Sequence, residues 1–165
     1  MAKFGNGKES NFMQLNFDYV AQNNYQCDKL LLTSYLATTS PTTKTCLKWL
    51  CQELGLPVKS GSGRSLDTLR HNLTELSADG VLTVVGDISA RCTDPITIIV
   101  NTKHQLFAGV DNIVEITLTD LQEIVKAKKP YRSFAKLIAS RTVSTKKEQE
   151  RVYRQLTRKE EKEND

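Results

Sequence analysis

A stripe of four leucines at helical spacing, followed directly by two β-branched runs, most limits how this chain can fold. The stripe comprises Leu66, Leu69, Leu73 and Leu76, and the turn Asp79–Gly80 follows it. Its intervals of three and four residues predict an amphipathic helix. Ser65 is expected to cap the helix at its start through the Thr68 amide. The runs 81–85 and 95–100 have strand length and flank a polar loop, so they predict a β-hairpin. The expected fold class is α+β.

Two further helices are predicted before the leucine stripe. The first spans 28–38, where leucines and a tyrosine cluster at helical spacing. The second spans 40–54: Ser40 suits the N-cap, Pro41 suits the first helical position, and Gly55 ends the helix. We expect its apolar face to contain Cys46, Leu47, Trp49, Leu50 and Leu54.

The flanking segments give weaker patterns. Residues 12–20 fit either a short strand or a first helical turn, and 113–116 fit an edge strand of the hairpin sheet. Thr117 or Thr119 is expected to open a helix. Beyond Pro130 we expect two helical pieces. The second has only Val152, Tyr153 and Leu156 as apolar anchors, so it is either a frayed tail or a helix that docks on a partner.

Composition limits the class of protein. A chain of 165 residues, 39% of them hydrophobic, supports one core plus appendages. The four cysteines form no CxxC pair, so we expect free thiols and no metal site. We find no Walker loop and no metal-binding histidine pair, and therefore predict no enzyme activity and no cofactor. No apolar run has membrane-spanning length and no secretory signal opens the chain, which predicts a cytoplasmic protein without membrane contact.

Charge is distributed very unevenly along the chain. Residues 1–125 carry 10 Lys and Arg against 13 Asp and Glu, whereas residues 126–159 carry 12 against 2. A basic block of this kind usually contacts a polyanion, although a solvated helix surface is the alternative. Residues 1–11 are polar and rich in glycine, which predicts a disordered lead-in. We expect a folded domain at 12–117 and a basic helical extension at 118–165.

The segment 65–82 resembles the recognition helix and first wing strand of bacterial winged helix proteins. It has a serine, a threonine three residues later, an aliphatic residue, an arginine, further leucines, and a glycine before the strand. The resemblance covers about residues 27–101. It implies a winged helix-turn-helix of three helices and a β-hairpin, with the turn at 55–64 and the wing tip at 86–94. The wider layout is similar to winged helix domains of plasmid and phage replication initiators and replisome organisers.

The resemblance implies that the third helix, about 65–78, lies in the major groove of double-stranded DNA, with the wing and the basic extension on the backbone. The candidate base-reading side chains are Thr68, His71 and Asn72. Any of these residues could instead be ordinary surface, and Arg70 could pair with Asp67 or Glu75 on its own helix. The full candidate set is Lys44, Lys59, Arg64, Ser65, Thr68, Arg70, His71, Asn72 and Arg91.

Two alternatives to simple monomeric DNA binding remain open. The domain could be a protein-interaction module that assembles replication or DNA-transfer proteins, with the C-terminal helix as its docking element. The C-terminal helices could also pair two copies into a homodimer, which would suit a DNA site with two half-sites. The sequence does not separate roles in plasmid or phage replication, conjugation and transcription regulation.

Overall fold

The computed structural model of the protein describes residues 12–58 and 64–164, with side chains as far as Arg158. Within these ranges the chain forms a mixed α+β fold of seven helices and two small antiparallel sheets. The elements, in chain order, are β1 (Phe12–Asn16), α1 (Phe17–Gln22), α2 (Cys27–Thr39), β2 (Thr42–Thr45), α3 (Leu47–Glu53), α4 (Arg64–Ala78), β3 (Leu82–Val85), β4 (Ile96–Val100), β5 (Ile113–Thr117), α5 (Leu118–Val125), α6 (Pro130–Thr142) and α7 (Lys146–Asn164).

The predicted hairpin is confirmed, and it belongs to a three-stranded sheet in the order β2-β4-β3. Leu82 pairs with Val100, and Thr45 on the opposite side of β4 pairs with Ile96. The inner face buries Ile96, Ile98 and Val100 of β4 in the core. The alternating pattern leaves Ile99 on the outer face, because successive side chains of a strand point to opposite sides of the sheet.

The predicted second helix is wrong in its first half. Residues 42–45 are strand β2, and the helix, α3, begins only at Leu47. Threonine is a β-branched residue that favours strands, and the extended segment here gains a hydrogen-bonded partner in β4. Ser40 does not cap a helix; its Oγ donates to the carbonyl oxygen of Thr42 at 2.7 Å. Trp49 is exposed, contrary to the prediction of an apolar face that includes it, because it lies away from the side of α3 that buries Leu47 and Leu50.

The other two predicted helices match closely. The first, α2, extends the expected range by one residue at each end. The leucine-stripe helix, α4, begins at Arg64, so Ser65 lies inside its first turn and is not the N-cap. Its end before Asp79–Gly80 is confirmed, and Gly80 adopts φ +78°, the left-handed conformation common after a helix.

The remaining strands form a separate sheet of two strands, β1 and β5. The segment 12–20 contains both predicted alternatives: strand β1 ends at Asn16, whose side chain then caps α1. The predicted strand at 113–116 is present, but it pairs with β1 and not with the hairpin. Thr117 opens α5 as predicted, in a capping box with Asp120.

The two C-terminal helices pack on the rest of the chain. The side chain of Gln149 donates to Val143 at the end of α6, while Tyr153 lies beside Lys136, so α7 runs back antiparallel along α6. Val152 and Leu156 are buried in the same hydrophobic core as α2, α4 and both sheets. The alternatives of a frayed tail or a docking helix are therefore both wrong for this apolar face, which packs within the chain.

Two sequence expectations concern the ends and the environment of the chain. The predicted lead-in, 1–11, lies outside the residues described. Over the part of the chain that is described, none of the helices combines the length and the apolar character needed to cross a membrane.

Candidate nucleic-acid interface

The outward surface of α4 carries four of the nine candidate residues. All four leucines of the stripe are buried, so the opposite side of the helix is turned outward. Arg64 and His71 are exposed there, and Ser65 and Thr68 are half-buried. Residues 64, 68 and 71 fall on one line along the helix, because they are separated by four and three positions. This line is the surface that a groove could contact.

Asn72 does not belong to this surface, and its expected availability to a partner is wrong. The residue is 2% exposed, and its Nδ2 donates to Asp28 Oδ2 on α2 at 3.2 Å. The reason is its position: Asn72 lies three residues after Leu69 and four before Leu76, which places it on the core side of the helix. Asn72 therefore contributes to the contact between α2 and α4.

Arg70 holds the hairpin loop, residues 86–95, against α4. Its Nε donates to the carbonyl oxygen of Ile88 at 2.8 Å, and its Nη2 donates to that of Ala90 at 3.4 Å. The predicted pairing with Asp67 is present at 3.6 Å. The guanidinium is thus engaged on several sides, and Arg70 positions the loop instead of presenting a free charge.

The hairpin loop presents Arg91 to the outside. The side chain of Arg91 is 86% exposed, and its Nε lies 3.6 Å from Asp94 Oδ1. Earlier in the loop, the hydroxyl and amide of Ser89 both donate to Asp87, and these hydrogen bonds lower the pKa of the Asp87 carboxyl. The loop therefore has internal order while Arg91 stays at its surface.

The two remaining candidates are Lys44 and Lys59. Lys44 is exposed on β2, opposite Thr97 of β4, on the outer face of the three-stranded sheet. Lys59 lies outside the described residues.

Sequence reasoning missed a basic loop that lies against the end of α3. Gly55 has φ +75°, and a Cβ built on it would lie 2.1 Å from the carbonyl oxygen of Val125 and 3.3 Å from Pro130 Cγ. The α5–α6 loop between those residues therefore touches the start of the connection into α4. We call its three exposed lysines, Lys126, Lys128 and Lys129, the basic loop. The charge asymmetry identified these residues as basic, but no signal within the sequence placed them beside Gly55.

The outward surface of α4 has mixed charge. Asp67 is exposed beside the candidate residues, and Glu75 is half-buried at their end. The Glu75 carboxylate lies 2.7 Å from Lys29 Nζ and 3.1 Å from His71 Nε2. Positive charge is therefore concentrated on the basic loop near Gly55 more than on the helix itself, while the hairpin loop carries Arg91 together with the carboxylates of Asp87 and Asp94.

Cysteines and other groups capable of chemistry lie away from this surface. All four cysteines are free thiols and buried, as the sequence predicted. Burial, with a smaller effect of nearby Cys92, raises the pKa of the Cys51 thiol to about 11, so the thiol stays protonated at neutral pH. Among the residues described, no three His, Cys, Asp or Glu side chains are grouped so that they could hold a metal ion.

Comparisons of the chain with protein-family models, with curated proteins and with solved structures gave no match.

Proposed function

We propose that residues 27–100 form a winged helix-turn-helix, and that the protein binds double-stranded DNA at a specific sequence through α4. The observation that carries the proposal is the topology. The order α2, β2, α3, α4, β3, β4, with β2 added to the hairpin as a third strand, is the order expected of three helices followed by a wing.

The line of residues 64, 68 and 71 on the outward surface of α4 supports the proposal that this surface contacts DNA bases. The major groove is wide enough for one helix, and the first turns of that helix present side chains to base edges. Thr68 and His71 offer a hydroxyl and an imidazole for hydrogen bonds to bases. Arg64 and Ser65 lie at the start of the helix, where the helix dipole favours a phosphate.

The flanking cations support contact with the DNA backbone. Val125 and Pro130, the residues on either side of the basic loop, lie close to Gly55 at the start of the turn between α3 and α4, and Arg91 extends from the hairpin loop that Arg70 holds against α4. Phosphate contacts fix the register of a protein on the duplex, while base contacts supply specificity. We therefore assign contact with the duplex backbone to Arg91 and the basic loop.

The first prediction tests base reading by α4. The double variant Thr68→Ala/His71→Ala should weaken binding to the preferred duplex by about thirtyfold or more, because it removes two base contacts that contribute about 1 kcal/mol or more each. Fluorescence anisotropy of labelled duplexes from the protein's own genomic neighbourhood, compared with a scrambled duplex, measures the effect. Ser77→Ala, an exposed position near the end of the same helix, is the matched control. Equal affinity of the wild type for native and scrambled duplexes would contradict sequence-specific binding.

The second prediction tests the basic loop through salt dependence. If its three lysines each neutralise one phosphate, the Lys126→Gln/Lys128→Gln/Lys129→Gln variant should make the slope of log K against log salt less negative by about 2.7. The slope is measured between about 50 and about 200 mM salt, the range in which counterion release dominates.

The control for this variant removes the same charge elsewhere. Lys103, Lys146 and Lys147 are exposed; Lys103 lies beyond the end of α4, and the other two lie at the start of α7, at the opposite end of α6 from the basic loop. Their triple exchange to Gln should change the slope far less. Similar changes in both variants would mean that net charge, and not the basic loop, governs binding.

A second function, a protein-interaction module for replication or DNA-transfer proteins, is favoured by one observation. The outer face of the three-stranded sheet exposes Val85 by 57% and Ile99 by 42%. Apolar side chains grouped on an exposed face are typical of protein contacts. On this alternative, Ile99→Asp should abolish capture of the partner or pairing of two copies without changing DNA affinity. Both functions are proposed for a non-enzymatic cytoplasmic protein in plasmid or phage replication, conjugation or transcription control.

A further inference from the structure

The tryptophan at position 49 is exposed at a place where the sequence predicted a buried one. The chain contains a single tryptophan, and 61% of it is accessible to solvent at the surface of α3. An indole has a large apolar surface, and its burial contributes substantially to binding energy when a partner covers it. Trp49 is therefore a strong candidate for a ligand contact.

Trp49 forms one wall of a cleft of about 330 Å³ at the junction of β2, α3 and the hairpin loop. A cleft of this volume is at the lower end of the range for small-molecule sites, and it fits a group the size of a nucleobase. The lining residues are Lys44, Thr45, Cys46, Trp49, Thr93 and Pro95. The lining is mainly apolar, with one cation and a threonine hydroxyl at the exposed rim.

The charge around the cleft favours an anionic ligand. Lys44 is part of its lining, and Lys48 follows on α3, where its backbone amide donates to the carbonyl oxygen of Cys92 at 3.0 Å. Arg91 precedes that cysteine in the hairpin loop. The nearby carboxylate, Asp94, lies 3.6 Å from the Arg91 guanidinium, which offsets its charge.

We propose that this cleft binds one unpaired nucleotide of DNA, with the base stacked on Trp49 and its phosphate beside Lys44. Stacking on an aromatic side chain tolerates every base, because every base has a π-face. A ligand that combines a flat aromatic group with negative charge suits the indole and the cations together. The inference rests on the proposed function and adds to it a single-stranded segment next to the duplex.

The position of the cleft fits a DNA that has a duplex and a single-stranded segment side by side. The hairpin loop contributes Thr93 and Pro95 to the cleft, while Arg70 holds Ile88 and Ala90 of the same loop against α4. The loop that lines the cleft is thus hydrogen-bonded to the helix that we propose contacts the duplex. A DNA with a short single-stranded gap beside the bound duplex could engage both.

The test compares three DNAs: the preferred duplex, the same duplex with a short single-stranded gap beside the site, and oligothymidine. Because Trp49 is the single tryptophan, its fluorescence reports the cleft directly. We expect oligothymidine and the gapped duplex to quench it. By anisotropy, Trp49→Ala should weaken binding to the gapped duplex about tenfold, a loss within the range measured for one stacked base, and should change binding to the intact duplex less than twofold. Trp49→Tyr should restore most of the loss.

Several outcomes would overturn the inference. One is gapped-duplex affinity that Trp49→Ala leaves unchanged; another is an equal loss for gapped and intact duplexes. A third is equal quenching of the Trp49 fluorescence by oligothymidine and by an acidic peptide of the same length and charge. This result would mean that the cleft binds a protein segment. The proposed function is tested separately by Thr68→Ala/His71→Ala on the intact duplex. Because Trp49 is exposed, its variants should fold, and circular dichroism checks this.

Discussion

Exchange of Gly55 for alanine should lower the free energy of unfolding by about 4 kcal/mol, a loss at the upper end of those caused by single substitutions. Two effects combine. At φ +75°, any residue with a Cβ is strained, and the new methyl group would lie 2.1 Å from the backbone oxygen of Val125. A backbone atom cannot move away as a flexible side chain can, so the α5–α6 loop must shift. Urea denaturation measures the loss.

Gly80→Ala measures the cost of the left-handed backbone conformation without a steric clash. Gly80 has φ +78°, almost the same conformation, but its added Cβ would meet only His104 Cδ2, at 3.9 Å. This variant should lose about 1–2 kcal/mol, the cost of the left-handed conformation alone. If both variants lost the same amount, the basic loop would not press on Gly55, and the proposed backbone contact at this place would lose its geometric support.

Exchange of Leu156 for alanine should lower the free energy of unfolding by about 3 kcal/mol, because it removes a buried side chain and leaves a cavity. Leu156 is 0% exposed, although it lies on a helix whose sequence is mostly charged. The measurement is again urea denaturation, followed by circular dichroism so that loss of helix is recorded with loss of stability.

The matched control for Leu156→Ala is Arg151→Ala on the exposed side of the same helix. Surface exchanges away from special contacts change stability by less than about 0.5 kcal/mol. A Leu156→Ala variant as stable as the control would show that α7 is separable from the core. Phe134 and Ile138 of α6 belong to the same core, so removal of residues 126–165 should destabilise the whole fold.

Local patterns in the sequence were sufficient for much of the fold. The leucine stripe predicts α4, and the helical clustering before it predicts α2, each within one residue at either end. This is possible because the spacing of apolar residues along an amphipathic helix identifies the side that is buried. The β-branched runs predict both hairpin strands for a similar reason. Thr117 predicts the start of α5, since its capping hydrogen bonds involve only residues within one turn.

Two of the features that sequence reasoning missed depend on distant contacts. Strand β2 has four residues, and it forms through pairing with β4, more than fifty positions later. The exposure of Trp49 and the burial of Asn72 follow instead from local helix spacing, which places Trp49 away from the buried residues of α3 and Asn72 among those of α4. The contact between Gly55 and the basic loop joins residues about seventy positions apart, and no local pattern encodes it. In the candidate site, Arg64 and His71 are exposed on α4 as expected, whereas Asn72 is buried and Arg70 is hydrogen-bonded to the hairpin loop.

The hydrogen bonds of Arg70 have a consequence for the DNA that the protein would select. One side chain on α4 binds two carbonyl groups of the hairpin loop, so helix and loop would approach a duplex together. On the proposed function, the separation between the groove contacted by α4 and the phosphate contacted by Arg91 would be restricted by these hydrogen bonds. Local groove width and bendability would then be read along with the bases, because a duplex that must be deformed to match this separation binds at an energetic cost.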